Sequence, residues 1–165
     1  MVDFLKVDVD FGDCDIIEAL ARRLRPRVVH AEMNPFIPPP YSYRQHFNGQ
    51  FFKTWVAAAG WQHVPWTRGC SLSGIAQALG GPERYVLAQV EFDHALFVRS
   101  DVAPHVLPLW SSRYKLRLWD HWVTGYYCHP LRRVTKESET EQAQFDFRTI
   151  SGSLGGVGQN VENEV

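Results

Sequence analysis

The stretch VDFLKVDVDFGDCDIIEALARRLRPRVVHAEM, residues 2–33, decides the fold class. Its first part, residues 2–9, is a mostly apolar run, which is typical of a strand covered on both faces in a parallel sheet. Asp13 then begins a predicted helix that ends at residue 24, just before Pro26. The apolar side chains of this helix fall on one stripe at helical spacing: Ile16, Ile17, Leu20 and Leu24.

A second predicted strand, residues 27–33, follows this helix. Because a helix connects the two strands, we expect them to pair in parallel as a right-handed βαβ unit. Residues 34–50 contain four prolines and predict an irregular loop. Residues 51–60 favour a short helix.

Farther along, a helix is predicted from Ser71 to the glycine pair 80–81. Residues 84–92 and 95–99 predict an antiparallel β-hairpin. Residues 101–130 are rich in Trp and Tyr and favour no particular element. The predicted order is therefore β-α-β, a long loop, α and a β-hairpin.

The composition argues against several classes of protein. The formal net charge is −1, so the chain lacks the basic character of a nucleic-acid binder. No apolar run approaches the roughly 20 residues of a membrane span, and we expect no signal peptide. The three cysteines, Cys14, Cys70 and Cys128, are an odd and widely spaced set. That argues against a disulfide framework and for a reducing compartment such as the cytosol.

Five aspartates lie within residues 2–20. An EF-hand calcium loop is excluded, because registers starting at Asp8 or at Asp10 do not place its ligands at the required positions. Asp13 and Asp15 are interpreted as residues of a turn and a helix start, where carboxylates accept free backbone N–H groups. Asp8 and Asp10 stand at the carboxyl end of a predicted parallel strand, which is where ligands of open α/β sheets bind.

Glu32 and Asn34 close the next predicted strand at the same edge of the sheet. Two interpretations stay open: these residues line one cleft with the aspartates, or they are solvated turn residues. His46 lies in the following loop and could reach the same cleft. No His or Cys pair has the spacing of a metal site, and no P-loop, GxSxG or HExxH motif occurs.

The head of the chain resembles the carboxyl-terminal half of a class I S-adenosylmethionine-dependent methyltransferase of the FkbM-like group. In that group, a strand reading like DFLKIDVEG precedes a helix and then a strand that ends in an acid. The matching residues here are Asp3, Phe4, Leu5, Lys6, Val7, Asp8, Val9, Asp10 and Gly12, with Phe11 as an insertion. Residues 25–40, 69–81 and 84–103 resemble the next strand with its loop, the last helix and the terminal hairpin.

The resemblance implies an α/β fold with a partial Rossmann-like sheet, in which a parallel βαβ unit is followed by a C-terminal antiparallel β-hairpin. It covers residues 1–103 and leaves an aromatic-rich extension at 104–148 and a disordered tail at 149–165. The glycine-rich half that holds the cofactor in this family has no counterpart in the chain. We therefore expect a truncated, cytoplasmic protein that binds S-adenosylmethionine poorly and is inactive alone.

The resemblance also implies roles for the candidate residues. Asp8 and Asp10 would be catalytic and border the methyl-transfer site, since a carboxylate can act as a base or orient an acceptor hydroxyl. Glu32, Asn34 and His46 would bind the acceptor, a small molecule or a glycan. Neither nucleic acid nor a membrane is expected as a partner.

Two other hypotheses stay open. The chain could be a non-catalytic interaction or dimerisation remnant of the same fold, because losing half the sheet leaves strand 2–9 at an open edge. The aromatic segment 101–130 could cover that edge, or a second copy could do so in a homodimer. Alternatively, the chain could be the product of a degraded gene, which would not fold stably.

Overall fold

The predicted βαβ unit forms. Strand β1 (Phe4–Val7) pairs in parallel with β2 (Val28–Glu32), and helix α1 (Asp13–Leu24) connects them. The computed structural model describes residues 2–49, 53, 68–107 and 117–132, all of which belong to one unit spanning residues 1–132.

The hairpin completes a mixed four-stranded sheet. After helix α2 (Leu72–Ala78), β3 (Tyr85–Glu91) and β4 (His94–Arg99) pair with each other antiparallel. Strand β4 also pairs antiparallel with β2, so the strand order is β1-β2-β4-β3. The predicted hairpin and the predicted α/β class are thus confirmed, with one parallel strand pair in the sheet.

One face of the sheet carries the main core. The apolar stripes of α1 and α2 pack together with inward side chains of β2, β3 and β4. Full burial of each large aliphatic side chain contributes roughly 1.5–3 kcal/mol. Helix α2 begins at the predicted place, because the Ser71 Oγ accepts the Gly74 N–H at 3.1 Å as an N-cap. The core residues on these elements include Ile17, Val29, Ala31, Leu72, Ile75, Leu79, Leu87, Ala95 and Phe97.

The opposite face of the sheet is only partly covered. A smaller cluster around Ala88 and Val98 packs against Ala103, in the short helix α3 (Ala103–Val106). Toward β1 the face is open: Phe4 is 55% exposed and stacks on His30, with ring centroids 6.3 Å apart. The expectation that the first strand is covered on both faces is therefore wrong within the described part of the chain.

The aromatic segment packs at the β3 side of the sheet. Helix α4 (Leu118–Trp122) continues into a π-helical turn (Val123–Tyr127) that contacts β3. Gly125 lies against the Val90 carbonyl, where a side chain would have no room, and its carbonyl oxygen accepts the Phe92 N–H at 2.9 Å.

The described part of the aromatic segment therefore does not cover β1, and residues 108–116 of the segment lie outside the described residues. Among the described residues, β1 has only β2 as a strand partner. The helix predicted for residues 51–60, apart from residue 53, and the disordered tail predicted for 149–165 lie outside the described residues.

Candidate functional site

The turn after β1 has an unusual backbone conformation, which determines where its acidic residues lie. Asp10 has φ 64° and Gly12 has φ 79°, so the chain reverses within five residues, from Asp8 to Gly12. Gly12 is the N-cap of α1, and a side chain there would collide with Phe47. The prediction that the Asp13 side chain caps the helix is wrong. Its Oδ1 instead accepts the N–H of Val9 at 3.1 Å and so closes the turn.

Arg68 joins the carboxyl ends of the two parallel strands. Its guanidinium donates to Asp10 at 2.6 Å and to Glu32 at 3.3 Å. We call these three residues the inner bridge. The structure thus brings two of the predicted site residues to one cation, which supplies the charge compensation that neighbouring carboxylates require.

Glu32 has the most strongly perturbed acidity at this edge. Its side chain is 14% exposed, and burial raises the pKa of Glu32 to about 7, although the Arg68 charge opposes this rise. The charges of Asp10 and Asp8 raise it further. A carboxyl that titrates near neutral pH can both accept and return a proton, which suits general acid–base chemistry.

Asp8 lies beside the inner bridge in a different environment. Lys6 pairs with it at 3.0 Å, and the His94 Nε2 lies 3.5 Å away. The hydrogen bond from Lys6, assisted by His94, lowers the pKa of Asp8 below its usual value despite some burial. Asp8 is therefore a carboxylate at neutral pH, whereas Glu32 is divided between its charged and neutral forms.

His94 also belongs to this edge, although it was not among the predicted site residues. Its Nδ1 lies 2.8 Å from Asp93, and its ring stacks on His30 with centroids 4.9 Å apart. Burial, followed by the nearby His94, lowers the pKa of His30. Asp8 and Asp93 therefore hold His94 between them.

Asn34 is buried next to the inner bridge and contacts the backbone of Arg68. It is 4% exposed, its Nδ2 donates to the Arg68 carbonyl at 2.8 Å, and its Oδ1 accepts the Phe36 N–H at 2.9 Å. These contacts place the backbone of Arg68. That Asn34 binds the methyl acceptor stays a prediction.

A second arginine, Arg44, bridges acids on the outer side of α1. It contacts Asp15 at 2.8 Å and Glu18 at 2.7 Å, and we call these three residues the outer bridge. The structure places His46 here, 3.1 Å from Asp15, with a side chain that is 73% exposed. Its described contacts are thus with the outer bridge.

Asp13 is a buried acid beneath the turn. It is 1% exposed, and its Oδ2 has no hydrogen-bond partner among the described residues. Burial raises the pKa of Asp13, in spite of the hydrogen bond from Val9.

The cysteine prediction is wrong for one pair. Cys14 and Cys70 form a disulfide with a Cα–Cα distance of 5.7 Å, within the usual range for such bonds, and both residues are 0% exposed. Cys128 is free and exposed. The cysteine-based argument for a reducing compartment therefore fails, and cytoplasmic location stays a prediction.

Two general features of the described residues bear on function. They contain no group of three or more His, Cys, Asp or Glu side chains arranged to hold a metal ion. Within the same residues, no helix has the length and apolar character that crossing a membrane requires.

Comparisons with known proteins yield no relative. No family model matches the chain, and neither a curated protein nor a solved structure is detectably similar to it.

Proposed function

We propose that residues 1–103 are the acceptor-binding, carboxyl-terminal half of an S-adenosylmethionine-dependent methyltransferase-like domain, with a partial Rossmann-like sheet. The observation that carries the proposal is the inner bridge: acids at the ends of two neighbouring parallel strands meet at one edge through Arg68. That is the edge where open α/β sheets bind ligands. The sequence resemblance supports the proposal, as does the antiparallel hairpin that follows the βαβ unit.

The chemistry of the edge suits a hydroxyl acceptor. Carboxylates such as Asp8 accept hydrogen bonds from hydroxyl groups, which favours a small polyhydroxylated molecule or a glycan. Glu32, with a pKa of about 7, is the candidate base that takes the hydroxyl proton. S-adenosylmethionine would supply the methyl group, and most of the rate would come from aligning the acceptor oxygen with it.

Acceptor binding is the direct test of this proposal. We expect simple methyl glycosides to shift the NMR amide signals of residues 8–12 and 32–34, with dissociation constants on the order of millimolar. Glu32→Gln should weaken these shifts, and Glu18→Gln, on the outer bridge, should leave them unchanged. Shifts that are absent, or that are equal in both variants, would refute an acceptor site at this edge.

Cofactor binding tests whether these residues hold S-adenosylmethionine by themselves. We expect isothermal titration of the chain with S-adenosylmethionine to show binding weaker than about 1 μM, because no cofactor-binding residue is assigned in the chain. Micromolar or tighter binding would mean that these residues bind the cofactor themselves, and it would leave the methyltransferase assignment intact.

A non-catalytic role as a dimerisation module is the second candidate. The observation that favours it is β1, an edge strand whose Phe4 is 55% exposed and whose described strand pairing is with β2 alone. Such an edge can pair with another chain. Size-exclusion chromatography with light scattering should then give a dimer, and a clean monomer counts against this role.

A further inference from the structure

The Cys14–Cys70 disulfide connects the two segments that carry the opposite charges of the inner bridge. Cys14 lies in the first turn of α1, directly after the turn that bears Asp10. Cys70 follows Arg68 by two positions. The bond spans a sequence separation of 56 residues and is fully buried. A covalent bond therefore ties the acid-bearing turn to the segment that supplies the cation.

Residues 68–71 precede α2, and we call them the arginine segment. The backbone of this segment forms hydrogen bonds with residues that lie outside the helices and strands. The Arg68 carbonyl accepts from Asn34, and the Gly69 carbonyl accepts the Gln45 N–H at 2.9 Å. The Ser71 N–H donates to the Tyr43 carbonyl at 2.9 Å. These three partners lie in the loop after β2. The disulfide instead ties the arginine segment to a twelve-residue helix that packs in the core.

We propose that the Cys14–Cys70 disulfide is a redox latch of the inner bridge. While the disulfide is intact, it holds Arg68 on Asp10 and Glu32; when a dithiol reduces it, Arg68 leaves them. The dithiol supplies two electrons and two protons and becomes a cyclic disulfide. Cys14 and Cys70 become two thiols, so the reaction needs no further reactant.

Opening the latch changes the charge of the proposed acceptor site. Arg68 is the cation that opposes the rise in the pKa of Glu32, so its departure favours the protonated carboxyl. Asp10 loses its guanidinium partner in the same step. The reduced site would then hold a weaker set of anionic acceptors. This regulation concerns the site of the proposed function but does not depend on methyl transfer.

Limited proteolysis of the full chain tests the latch, because trypsin cleaves after arginine. Arg68 is half-buried and paired, so we expect slow cleavage after it in the air-oxidised protein. Dithiothreitol should accelerate that cleavage about ten-fold, since the rate follows the population of the locally open state. Cleavage after Arg23, on the exposed side of α1, should stay slow and so report that the fold is intact.

Two variants separate the latch from other effects of the reductant. Cys14→Ala/Cys70→Ala should be cleaved quickly after Arg68 with or without dithiothreitol. Cys128→Ser, which removes the free and exposed thiol, should behave as the unmodified chain does.

Three results would overturn the latch. The first is mass spectrometry of the alkylated, air-oxidised protein showing free thiols at positions 14 and 70. The second is an equal rate of cleavage after Arg68 in the oxidised and reduced protein. The third is cleavage after Arg23 that rises together with cleavage after Arg68, which would mean global unfolding. Since neither cofactor nor acceptor is present, these failures are distinct from failure of the proposed function.

Discussion

The inner and outer bridges are built from the same groups, but the pKa of Glu32 rises in the inner bridge whereas the pKa values of Asp15 and Glu18 fall in the outer bridge. In each, one arginine contacts two carboxylates within 3.5 Å. In the inner bridge, burial dominates and raises the pKa of Glu32 to about 7. In the outer bridge, burial raises the pKa of Asp15 less than the hydrogen bonds from Arg44, the Phe47 amide and His46 lower it. The pKa of Glu18 also falls, through its hydrogen bond with Arg44 and the charge of Arg22.

An arginine partner therefore does not by itself determine the charge state of an acid. Glu32 closes a central strand and is 14% exposed, whereas Asp15 and Glu18 lie on a helix surface, with side chains 33% and 28% exposed. Desolvation penalises the charged form of a carboxyl, and only water or several donors offset that penalty. The inner bridge therefore has the properties of a reactive site, and the outer bridge those of a surface ion-pair network.

The largest effect is expected for the Cys14–Cys70 disulfide, a covalent anchor that only the inner bridge has among the described residues. Replacing Cys14 and Cys70 by alanine should lower the free energy of unfolding by about 4 kcal/mol, because the disulfide closes a loop with a sequence separation of 56. Urea unfolding at neutral pH measures this loss. Cys128→Ser is the control and should change stability by less than about 0.5 kcal/mol. A double variant as stable as this control would show that the bond does not contribute to folding.

The next effect is a pH dependence from Glu32. Its folded-state pKa of about 7 lies above the ordinary 4.5, so the folded state binds the proton more tightly than the unfolded chain does. The resulting stabilisation is complete below about pH 4.5 and is lost as the pH rises through about 7. Its size is about 3 kcal/mol, since each pH unit of difference corresponds to about 1.4 kcal/mol.

The variant Glu32→Gln isolates this contribution, because glutamine does not titrate. Urea unfolding from about pH 5 to about pH 8 should show a flatter pH dependence for the variant than for the unmodified chain. Glu18→Gln, on the outer bridge, should keep the original slope over that range, because the lowered pKa of Glu18 affects stability only at more acidic pH. Identical slopes for Glu32→Gln and the unmodified chain would contradict a neutral-range Glu32.

Replacing each arginine in turn separates the effects of the two bridges. Arg68→Met removes the cation that lowers the pKa of Glu32, so that pKa should rise by about one pH unit. Arg44→Met should leave Glu32 unchanged and instead raise the pKa of Asp15. NMR titration of the side-chain carboxyl carbons measures both. A Glu32 titration that is the same in the two variants would mean that Arg68 does not act on it.

The smallest effect is expected for His46→Ala. The ring is 73% exposed, and its pairing with Asp15 is an exposed contact that salt screens. We expect a loss below about 0.5 kcal/mol in urea unfolding at low ionic strength, and no difference at high salt. A loss above about 1 kcal/mol would give His46 a structural role that its exposure does not indicate.

Local patterns in the sequence predicted most of the regular structure and two of the three residues of the inner bridge. The βαβ unit, α2 and the hairpin follow from apolar periodicity and turn residues, which act over a few positions. Asp10 and Glu32 were predicted together because carboxyl ends of parallel strands share one edge. No pattern in the sequence indicates that Arg68 joins them, since Arg68 lies 58 positions from Asp10 and 36 from Glu32, and no periodicity relates residues so far apart.

Other features escaped prediction for related reasons. The Cys14–Cys70 bond depends on how two distant segments meet, and spacing alone does not determine connectivity. Helix α4 and the π-helical turn have aromatic residues in a pattern that fits neither a helix nor a strand period. The identity of these elements depends on tertiary contacts such as that of Gly125 with β3.

The hydrogen bond of the Trp122 indole constrains the order in which parts of the chain can fold during synthesis. Its Nε1 donates to the Pro35 carbonyl at 3.0 Å, across 87 positions of sequence. Trp122 and Tyr126 also belong to the main core. During synthesis the βαβ unit leaves the ribosome long before these side chains exist, and domains fold as units as they emerge. The contact between the Pro35 loop and Trp122 therefore forms only after helix α4 has been synthesised, and nascent chains that stop before residue 117 should lack it.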